Sequence, residues 1–242
     1  MGTKVKIIAH RGASGYAPEN TLASFRHALK LGAAAIELDV QQTKDGRLAV
    51  IHDLDLKRTA GLRKSLGAAT SAELASLDAG SWFDPKFSGE KIPMLDQVLK
   101  LCDAGGRKIE LHLEIKQGKK PYPGIEAKVL ELLSSKGDWL KRTVISSFDH
   151  PTLRRARDLS SKARLGYLVG TTGKSAALEE AAQLRCESMQ LSRRQADAAW
   201  IGGIHNNGMK ALVYTINEAA ELRRLAALGV DGVFSNFPDL KI

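Results

Sequence analysis

Short apolar runs rich in β-forming residues alternate with amphipathic helical patterns along almost the whole 242-residue chain. The helical patterns repeat apolar residues every three or four positions, as at Leu22, Phe25 and Leu29, which is the spacing of one helix face. The apolar runs are Val5–Ala9, Ala34–Val40, Ile109–Ile115, Thr143–Ser147, Leu165–Val169, Ser188–Leu191, Ala211–Thr215 and Asp231–Phe234. Eight strand–helix repeats predict an α/β fold, a (β/α)8 TIM barrel. An open doubly wound sheet is the alternative, but it usually has fewer strands.

The segment after the second run breaks this alternation. There the dipeptide Asp45-Gly46 is typical of a two-residue hairpin loop. Such a loop would make Leu48–His52 a return strand rather than a barrel strand, and it would place His52 opposite Asp39. A three-residue loop would shift that register by one residue.

Residues 55–93 follow the hairpin as an insertion rich in Gly, Ser and Lys. It contains one short helix, predicted to begin at a capping box formed by Thr70 and Glu73. Because the insertion follows the return strand, we expect it to be a small subdomain over the barrel mouth. Residues 1–242 would then be a single barrel domain.

The chain carries 36 Lys and Arg against 27 Asp and Glu, a net charge of +9 that attracts anions. Its basic residues are scattered as short pairs such as Arg193-Arg194, and aromatic residues are only 5%, too few for a base-stacking platform. This pattern favours a small anionic substrate over nucleic acid. No stretch approaches the roughly 18 apolar residues of a membrane span, so we expect no integral membrane association.

The N-terminal apolar run is too short for a signal-peptide core, which predicts a cytoplasmic protein. Cys102 and Cys186 lie in helical patterns without metal-ligand spacing, and we interpret them as reduced structural thiols. The sequence carries no signal of an oligomeric state.

Two of the predicted strands have one face that is polar. Alternate residues of a strand face the same side, so Glu37 and Asp39 share one face of the second run. The third run has a longer polar face, made of Glu110, His112, Glu114 and Lys116. The helix-facing side of a barrel strand is apolar, so both polar sets must face the lumen. Charges placed there need partners or a metal ion to offset their desolvation.

Glu37, Asp39 and Glu114 together form an all-oxygen ligand set. Such a set suits Mg²⁺, Mn²⁺ or Ca²⁺ better than zinc. The alternative is a structural network in which these carboxylates pair with Arg11 and Lys116.

His10 ends the first strand and His52 ends the return strand, so both lie at the predicted barrel mouth. Two histidines can act as general acid and general base near neutral pH. A single histidine is more often structural, but two beside a carboxylate cluster are not typical of a core. Arg11 and Lys116 supply positive charge for a phosphoryl group.

A series of short motifs follows in order along the chain. These are HRG (10–12), PENT (18–21), IELDV (36–40), TKDG (43–46), HD (52–53), RT (58–59), DAGSWF (78–83), LEIK (113–116) and SSF (146–148). Together they resemble the glycerophosphodiester phosphodiesterase family, in its bacterial cytoplasmic form, over essentially the whole chain.

The resemblance implies a barrel with a small insertion after the HD motif and a divalent metal ion held by Glu37, Asp39 and Glu114. It implies His10 and His52 as the catalytic pair. Members hydrolyse glycerophosphodiesters, such as glycerophosphocholine or glycerophosphoethanolamine, to glycerol 3-phosphate and an alcohol.

The resemblance also implies that Arg11 and Lys116 bind the phosphate. Phe148, Tyr214 and Phe237 end barrel strands near the mouth, which makes them candidates for substrate contact. Tyr214 stands where relatives commonly have Trp, and SNFPD stands where TDxP is frequent. Both departures lie near the expected head-group pocket and leave the choice of alcohol open.

Three further alternatives concern mechanism and function. The nucleophile is either water or the substrate's own glycerol hydroxyl, which would pass through a cyclic phosphate. A phospholipase D-like enzyme of the same superfamily is a rival, although such enzymes are secreted and disulfide-bonded. A non-catalytic phosphate-binding module is another, but it should have lost at least one of the histidines or carboxylates.

Overall fold

The computed structural model describes residues 5–117 and 121–241, and within them nine strands form one sheet. The strands are β1 (Lys6–Ala9), β2 (Ala35–Gln42), β3 (Leu48–Val50), β4 (Glu110–Ile115), β5 (Thr143–Ser147), β6 (Arg164–Leu168), β7 (Ser188–Ser192), β8 (Lys210–Tyr214) and β9 (Gly232–Ser235). Eight of them pair in parallel, and β1 pairs with both β2 and β9, which closes the sheet. The predicted (β/α)8 barrel is therefore confirmed.

Ten α-helices lie in the described residues. They are α1 (Leu22–Lys30), α2 (Lys57–Ala60), α3 (Ser71–Ser76), α4 (Leu95–Ala104), α5 (Ile125–Ser135), α6 (Trp139–Arg142), α7 (His150–Leu159), α8 (Lys174–Gln183), α9 (Ala198–Asn206) and α10 (Ala219–Ala227). All but α2 and α3, which belong to the insertion, surround the barrel. The main core lies between the helices and the outer faces of the strands, where Phe25, Leu38 and Trp139 are fully buried. Cys102 and Cys186 are free and buried in this layer. Among the described residues no helix is long and apolar enough to cross a membrane.

The pairing of β2 with β4 sets the position of the polar lumen residues. Glu37 lies opposite His112, and Asp39 lies opposite Glu114. Because both strands run in parallel, their acidic side chains point into the same lumen near the carboxyl ends of the strands. The alternating acidic residues of β2 and β4 therefore lie close together in the structure.

The hairpin register differs from the two-residue loop prediction by one residue. Val40 pairs with Val50, and the Ile51 amide donates to the Asp39 carbonyl at 2.9 Å, so Asp39 lies opposite Ile51 and not His52. The loop has three residues and ends at Gly46, whose φ of +79° is left-handed. A type I turn followed by a left-handed glycine is the usual three-residue hairpin.

The insertion folds around α2, α3 and a small apolar cluster of its own. Leu56, Leu66 and Leu74 are fully buried there, together with Ala49 and Ile51 from the hairpin. The capping box of Thr70 and Glu73 at the start of α3 is present as predicted. The insertion is thus packed onto the return strand, while its role over the mouth stays a prediction.

Candidate active site

A cavity of about 130 Å³ opens at the carboxyl ends of the barrel strands. It is lined by His10, Arg11, Glu37, His52, Glu114, Lys116, Phe148, Leu168, Gln190, Tyr214, Thr215 and Phe234. Most of the residues singled out in the sequence therefore meet in one place. Asp39 lies next to the cavity and is almost completely buried.

Phe237 does not line the cavity. Its ring packs edge-on against Tyr16 at 5.2 Å between centroids, and it lies where a side chain on Gly15 would fall. Substrate contact by Phe237 therefore stays a prediction from the sequence. Phe148 and Tyr214 do flank the opening, with their rings perpendicular at 6.2 Å.

The three carboxylates form a compact cluster. One oxygen from each of Glu37, Asp39 and Glu114 lies within 4.8 Å of the others. Asp39 Oδ1 is buried and accepts no hydrogen bond, although Lys116 Nζ lies 3.2 Å from it. An all-oxygen set with such a buried acceptor could hold a hard divalent cation.

Two basic side chains contact this cluster but do not neutralise it. Lys116 Nζ lies 2.6 Å from Glu114 Oε1 and 3.2 Å from Asp39 Oδ1, and Arg11 Nε lies 3.3 Å from Asp39 Oδ2. Three carboxylates against two cations leave one negative charge in excess. A purely structural ion network would therefore be incomplete, because a buried unpaired charge is strongly destabilising.

The titration of the carboxylates reflects this excess charge. Burial and the nearby Asp39 raise the pKa of Glu114 to about 7, and the same two causes raise the pKa of Glu37 well above its ordinary value. Burial also opposes ionisation of Asp39, but Lys116 and Arg11 hold its pKa below the usual range. Without a further cation, the cluster therefore retains protons near neutral pH.

The loop after β1 places Arg11 over the cluster. Arg11 has a left-handed φ of +55°, and its amide donates to Glu37 Oε2 at 2.9 Å. Gly12 follows with φ +83°, and a side chain there would approach the backbone carbon of Ser24 to 2.8 Å. The HRG motif is therefore needed for a tight turn against α1.

His10 is oriented by Asn236, at the end of β9. His10 Nδ1 donates to Asn236 Oδ1 at 2.7 Å, so the proton sits on Nδ1 and Nε2 keeps a free lone pair. Burial and the Arg11 charge lower the pKa of His10 to about 4. The imidazole is therefore neutral at pH 7.

His52 is oriented by a carboxylate instead. Its Nδ1 donates to Asp53 Oδ1 at 2.8 Å, and Arg58 from α2 donates to Asp53 Oδ2 at 2.6 Å. The same guanidinium makes two hydrogen bonds to Glu19, which in turn accepts from Arg11. Burial and the Lys116 and Arg11 charges lower the pKa of His52, while the Asp39 charge and the hydrogen bond to Asp53 oppose that lowering.

Several roles in the site do not follow from the sequence. Asn20 is expected to cap the first helix or to support the His10 loop, but its Nδ2 donates to Asp39 Oδ2 at 2.8 Å and Thr21 is the cap. Gln190 lines the cavity from β7. Asn20 and Glu19 lie within the PENT motif, which was the only signal for them. Asn236 was noticed only as a departure from TDxP.

Comparison with known proteins gives a family match over nearly the whole chain. The model of the "Glycerophosphoryl diester phosphodiesterase family" matches residues 10–240. A glycerophosphodiester phosphodiesterase of Caldanaerobacter subterraneus is 36% identical over 239 residues, which cover 99% of this chain and 97% of that protein. A second one, from Bacillus subtilis, is 33% identical over 98% of this chain and 85% of that protein.

Solved structures agree with this match. An Oleispira antarctica phosphodiesterase, determined in complex with the product sn-glycerol-3-phosphate, superposes with a TM-score of 0.88 at 34% identity, covering 97% of this chain and 94% of that one. The glycerophosphodiester phosphodiesterase of Agrobacterium tumefaciens gives a TM-score of 0.83 at 30% identity, covering 98% of both chains.

Proposed function

The chain belongs to the glycerophosphoryl diester phosphodiesterase family, and from this membership we propose that it hydrolyses glycerophosphocholine, glycerophosphoethanolamine and related diesters to sn-glycerol 3-phosphate and an alcohol. The predicted enzyme class, a phosphoric diester hydrolase, is confirmed by the family match. One observation supports the finer proposal most: three carboxylates and two oriented histidines meet in one small cavity. The product complex of the Oleispira relative supports the same product.

Glu37, Asp39 and Glu114 would hold a divalent cation, with Mg²⁺, Ca²⁺ and Mn²⁺ as candidates. Their fit rests on the excess negative charge and on the buried Asp39 oxygen that accepts no hydrogen bond. When bound, the cation would polarise the phosphoryl oxygens and offset the charge that develops on them. Arg11 and Lys116, which lie beside this cluster, would bind the same phosphoryl group by charge-assisted hydrogen bonds.

The different partners of the two histidines suggest different roles. The neutral amide of Asn236 behind His10 leaves that ring unprotonated at Nε2, so we assign it as the base. The Asp53 carboxylate behind His52 stabilises the imidazolium form, so we assign His52 as the acid that protonates the leaving alcohol. His10 would deprotonate either water or the glycerol 2-hydroxyl.

One assay tests the proposed function. Release of sn-glycerol 3-phosphate from glycerophosphocholine is measured with Mg²⁺, Mn²⁺ or Ca²⁺ and in excess chelator. We expect release with cation and little release without it. Binding without turnover under all conditions would indicate a phosphate-binding module. Release of choline from lysophosphatidylcholine in preference to glycerophosphocholine would indicate the phospholipase D-like alternative.

We also propose a cytoplasmic location, because the free cysteines Cys102 and Cys186 suit a reducing compartment. Cell fractionation would test this.

A narrow cavity of about 130 Å³ suits a small diester and not a nucleic acid strand. If single-stranded oligonucleotides inhibited glycerophosphocholine turnover competitively, the proposal that the site does not bind nucleic acid would be contradicted.

A further inference from the structure

Gln190 is a buried amide in the barrel lumen that the chemistry described above does not use. It lies in β7, its side chain lines the cavity, and only 3% of the residue is exposed. Its Nε2 has no hydrogen-bond partner among the described residues. Buried amide groups in native proteins are nearly always paired with protein, water or ligand. An unpaired amide on a residue that lines a substrate cavity is therefore a candidate to bind a ligand.

The neighbouring strand is shaped to accommodate this amide. Gly166 in β6 lies beside it, and a side chain on Gly166 would come within 2.6 Å of Gln190 Nε2. That contact is too close for any real Cβ, so the room for the amide depends on the glycine. The buried hydroxyl of Ser188 in β7 also lies beside Gly166 and is likewise unpaired. Two apolar side chains that line the cavity, Leu168 and Phe234, are here called the cavity floor.

The register of β7 gives the depth of the amide. Ser192 pairs with Tyr214 at the opening, whereas Gln190 pairs with Leu212, two residues further into the barrel. Two residues of a tilted strand correspond to roughly 5 Å of depth. Arg11 and Lys116, the proposed phosphate ligands, follow the carboxyl ends of β1 and β4 and therefore belong to the mouth of the barrel. A phosphate held there would direct one of its two ester groups towards Gln190.

We propose that Gln190 recognises the glycerol moiety of the substrate through a hydrogen bond to the hydroxyl furthest from the phosphate. This inference rests on the proposed function and adds which ester group lies deep in the cavity. A three-carbon chain fits a floor made of Leu168 and Phe234, and its terminal hydroxyl meets the amide. The alcohol head group then faces the opening, where it can leave without passing the floor.

Recognition by a buried amide makes a strong prediction about specificity. A substrate without the terminal hydroxyl leaves the amide desolvated and unpaired, so a site of this kind rejects it. The matched probe is the phosphocholine diester of propane-1,2-diol, which lacks only that hydroxyl and retains the vicinal one. The test therefore does not depend on whether a cyclic phosphate forms.

The experiment compares wild-type protein and Gln190→Leu on glycerophosphocholine and on the deoxy diester. We expect the wild type to favour glycerophosphocholine by about 10- to 100-fold in kcat/KM. In the variant this ratio should fall to near one, because turnover of the deoxy diester is retained. Gln183→Leu, an exposed change on α8, is the matched control and should keep the wild-type ratio.

A binding measurement provides a second readout. Calorimetry should show sn-glycerol 3-phosphate binding about 10-fold more weakly to Gln190→Leu, with inorganic phosphate binding unchanged. If the Leu variant does not fold, Gln190→Met, which is unbranched and close in length, is used in both measurements. Equal loss on both diesters, or discrimination that survives the substitution, would overturn the inference. Failure of the wild type to turn over any diester would instead contradict the proposed function, and product binding would still test Gln190.

Discussion

Asn20 Nδ2 donates a 2.8 Å hydrogen bond to Asp39 Oδ2, while the other oxygen of the same carboxylate is buried beside Lys116 and accepts no hydrogen bond. The amide thereby restricts the rotation of the carboxylate, which belongs to the cluster with Glu37 and Glu114. Groups that orient metal ligands are commonly worth 10- to 100-fold in metal affinity. Asn20 is therefore a positioning residue for the proposed cation site.

Replacing Asn20 with glycine should weaken cation activation by about 10-fold or more. Glycine is chosen because Asn20 has a left-handed φ of +58°, which alanine would adopt only with strain. The concentration of Mg²⁺ or Ca²⁺ that gives half-maximal turnover is the measured quantity. Asn207→Gly, at the exposed end of α9, is the control for loss of an asparagine side chain. If this cation concentration were unchanged in Asn20→Gly, the hydrogen bond from Asn20 would not be needed to position Asp39.

A second prediction concerns pH and the cation. The pKa of Glu114 is raised to about 7 and that of Glu37 is also raised, so the folded state without cation holds more protons than the unfolded state above the ordinary value of 4.5. Its stability should therefore fall as pH rises from about 4.5 through 7. A bound cation replaces those protons, so its stabilising effect should grow with pH.

Thermal unfolding checks this directly. The increase in Tm on adding Ca²⁺ or Mg²⁺ should be larger at pH 8 than at pH 5.5, with chelated protein as the reference at each pH. Glu114→Gln removes one of the titrating ligands and should reduce both the shift and its pH dependence. An increase in Tm that is equal at the two pH values would contradict a cation site made of Glu37 and Glu114.

The barrel and the acidic cluster could be predicted from the sequence because both depend on local periodicity. Alternation within β2 puts Glu37 and Asp39 on one face whatever the rest of the chain does. The hairpin register could not be predicted in this way. Asp45-Gly46 is compatible with two loop lengths, and Asp45 is held by hydrogen bonds from Ser71, 26 residues later.

The hydrogen-bond partners of the histidines and the surroundings of Gln190 could not be predicted from the sequence, for a related reason. His10 and Asn236 are 226 positions apart, and they meet only because the first and last strands close the barrel. No spacing rule connects such residues. Likewise, alternation within β7 predicts that Gln190 faces the lumen. It does not predict that its amide nitrogen is unpaired and lies beside Gly166 in the next strand.

A third prediction separates the roles of His10 and His52. Replacing either with alanine should lower kcat for glycerophosphocholine by about 10²-fold or more. A glycerophosphodiester with a p-nitrophenol leaving group needs little protonation, so it should restore turnover of His52→Ala but not of His10→Ala. The opposite pattern of rescue would reverse the assignment of base and acid. Near-normal turnover of glycerophosphocholine by either variant would exclude the pair.

A fourth prediction concerns how the insertion acts on the site. Arg58 in α2 joins Asp53, behind His52, to Glu19, beside Arg11. Arg58→Gln should lower kcat about 10-fold, within the range of coupling seen in shared networks. Shortening the insertion is a less clean test, because its apolar cluster includes Ala49 and Ile51 of the hairpin.

The matched control for Arg58→Gln is Arg63→Gln, which changes an exposed arginine in the same insertion. It should leave kcat and KM unchanged. A wild-type rate in Arg58→Gln would show that the insertion does not support His52. A change confined to the ranking of head groups would instead show that the insertion acts on substrate choice and not on the chemical step.

The last prediction tests the hydrogen bond between His10 and Asn236. In Asn236→Asp a carboxylate replaces the amide that accepts from Nδ1, and its charge favours the imidazolium form. The pKa of His10, about 4 in the wild type, should therefore rise. The base must be neutral to accept a proton. The acidic limb of the pH profile of kcat/KM should therefore move to higher pH, so that activity is lost at pH 5 and retained at pH 8. Asn207→Asp, which adds the same charge at an exposed position, should leave that limb in place. A limb that does not move would mean that His10 is not the base.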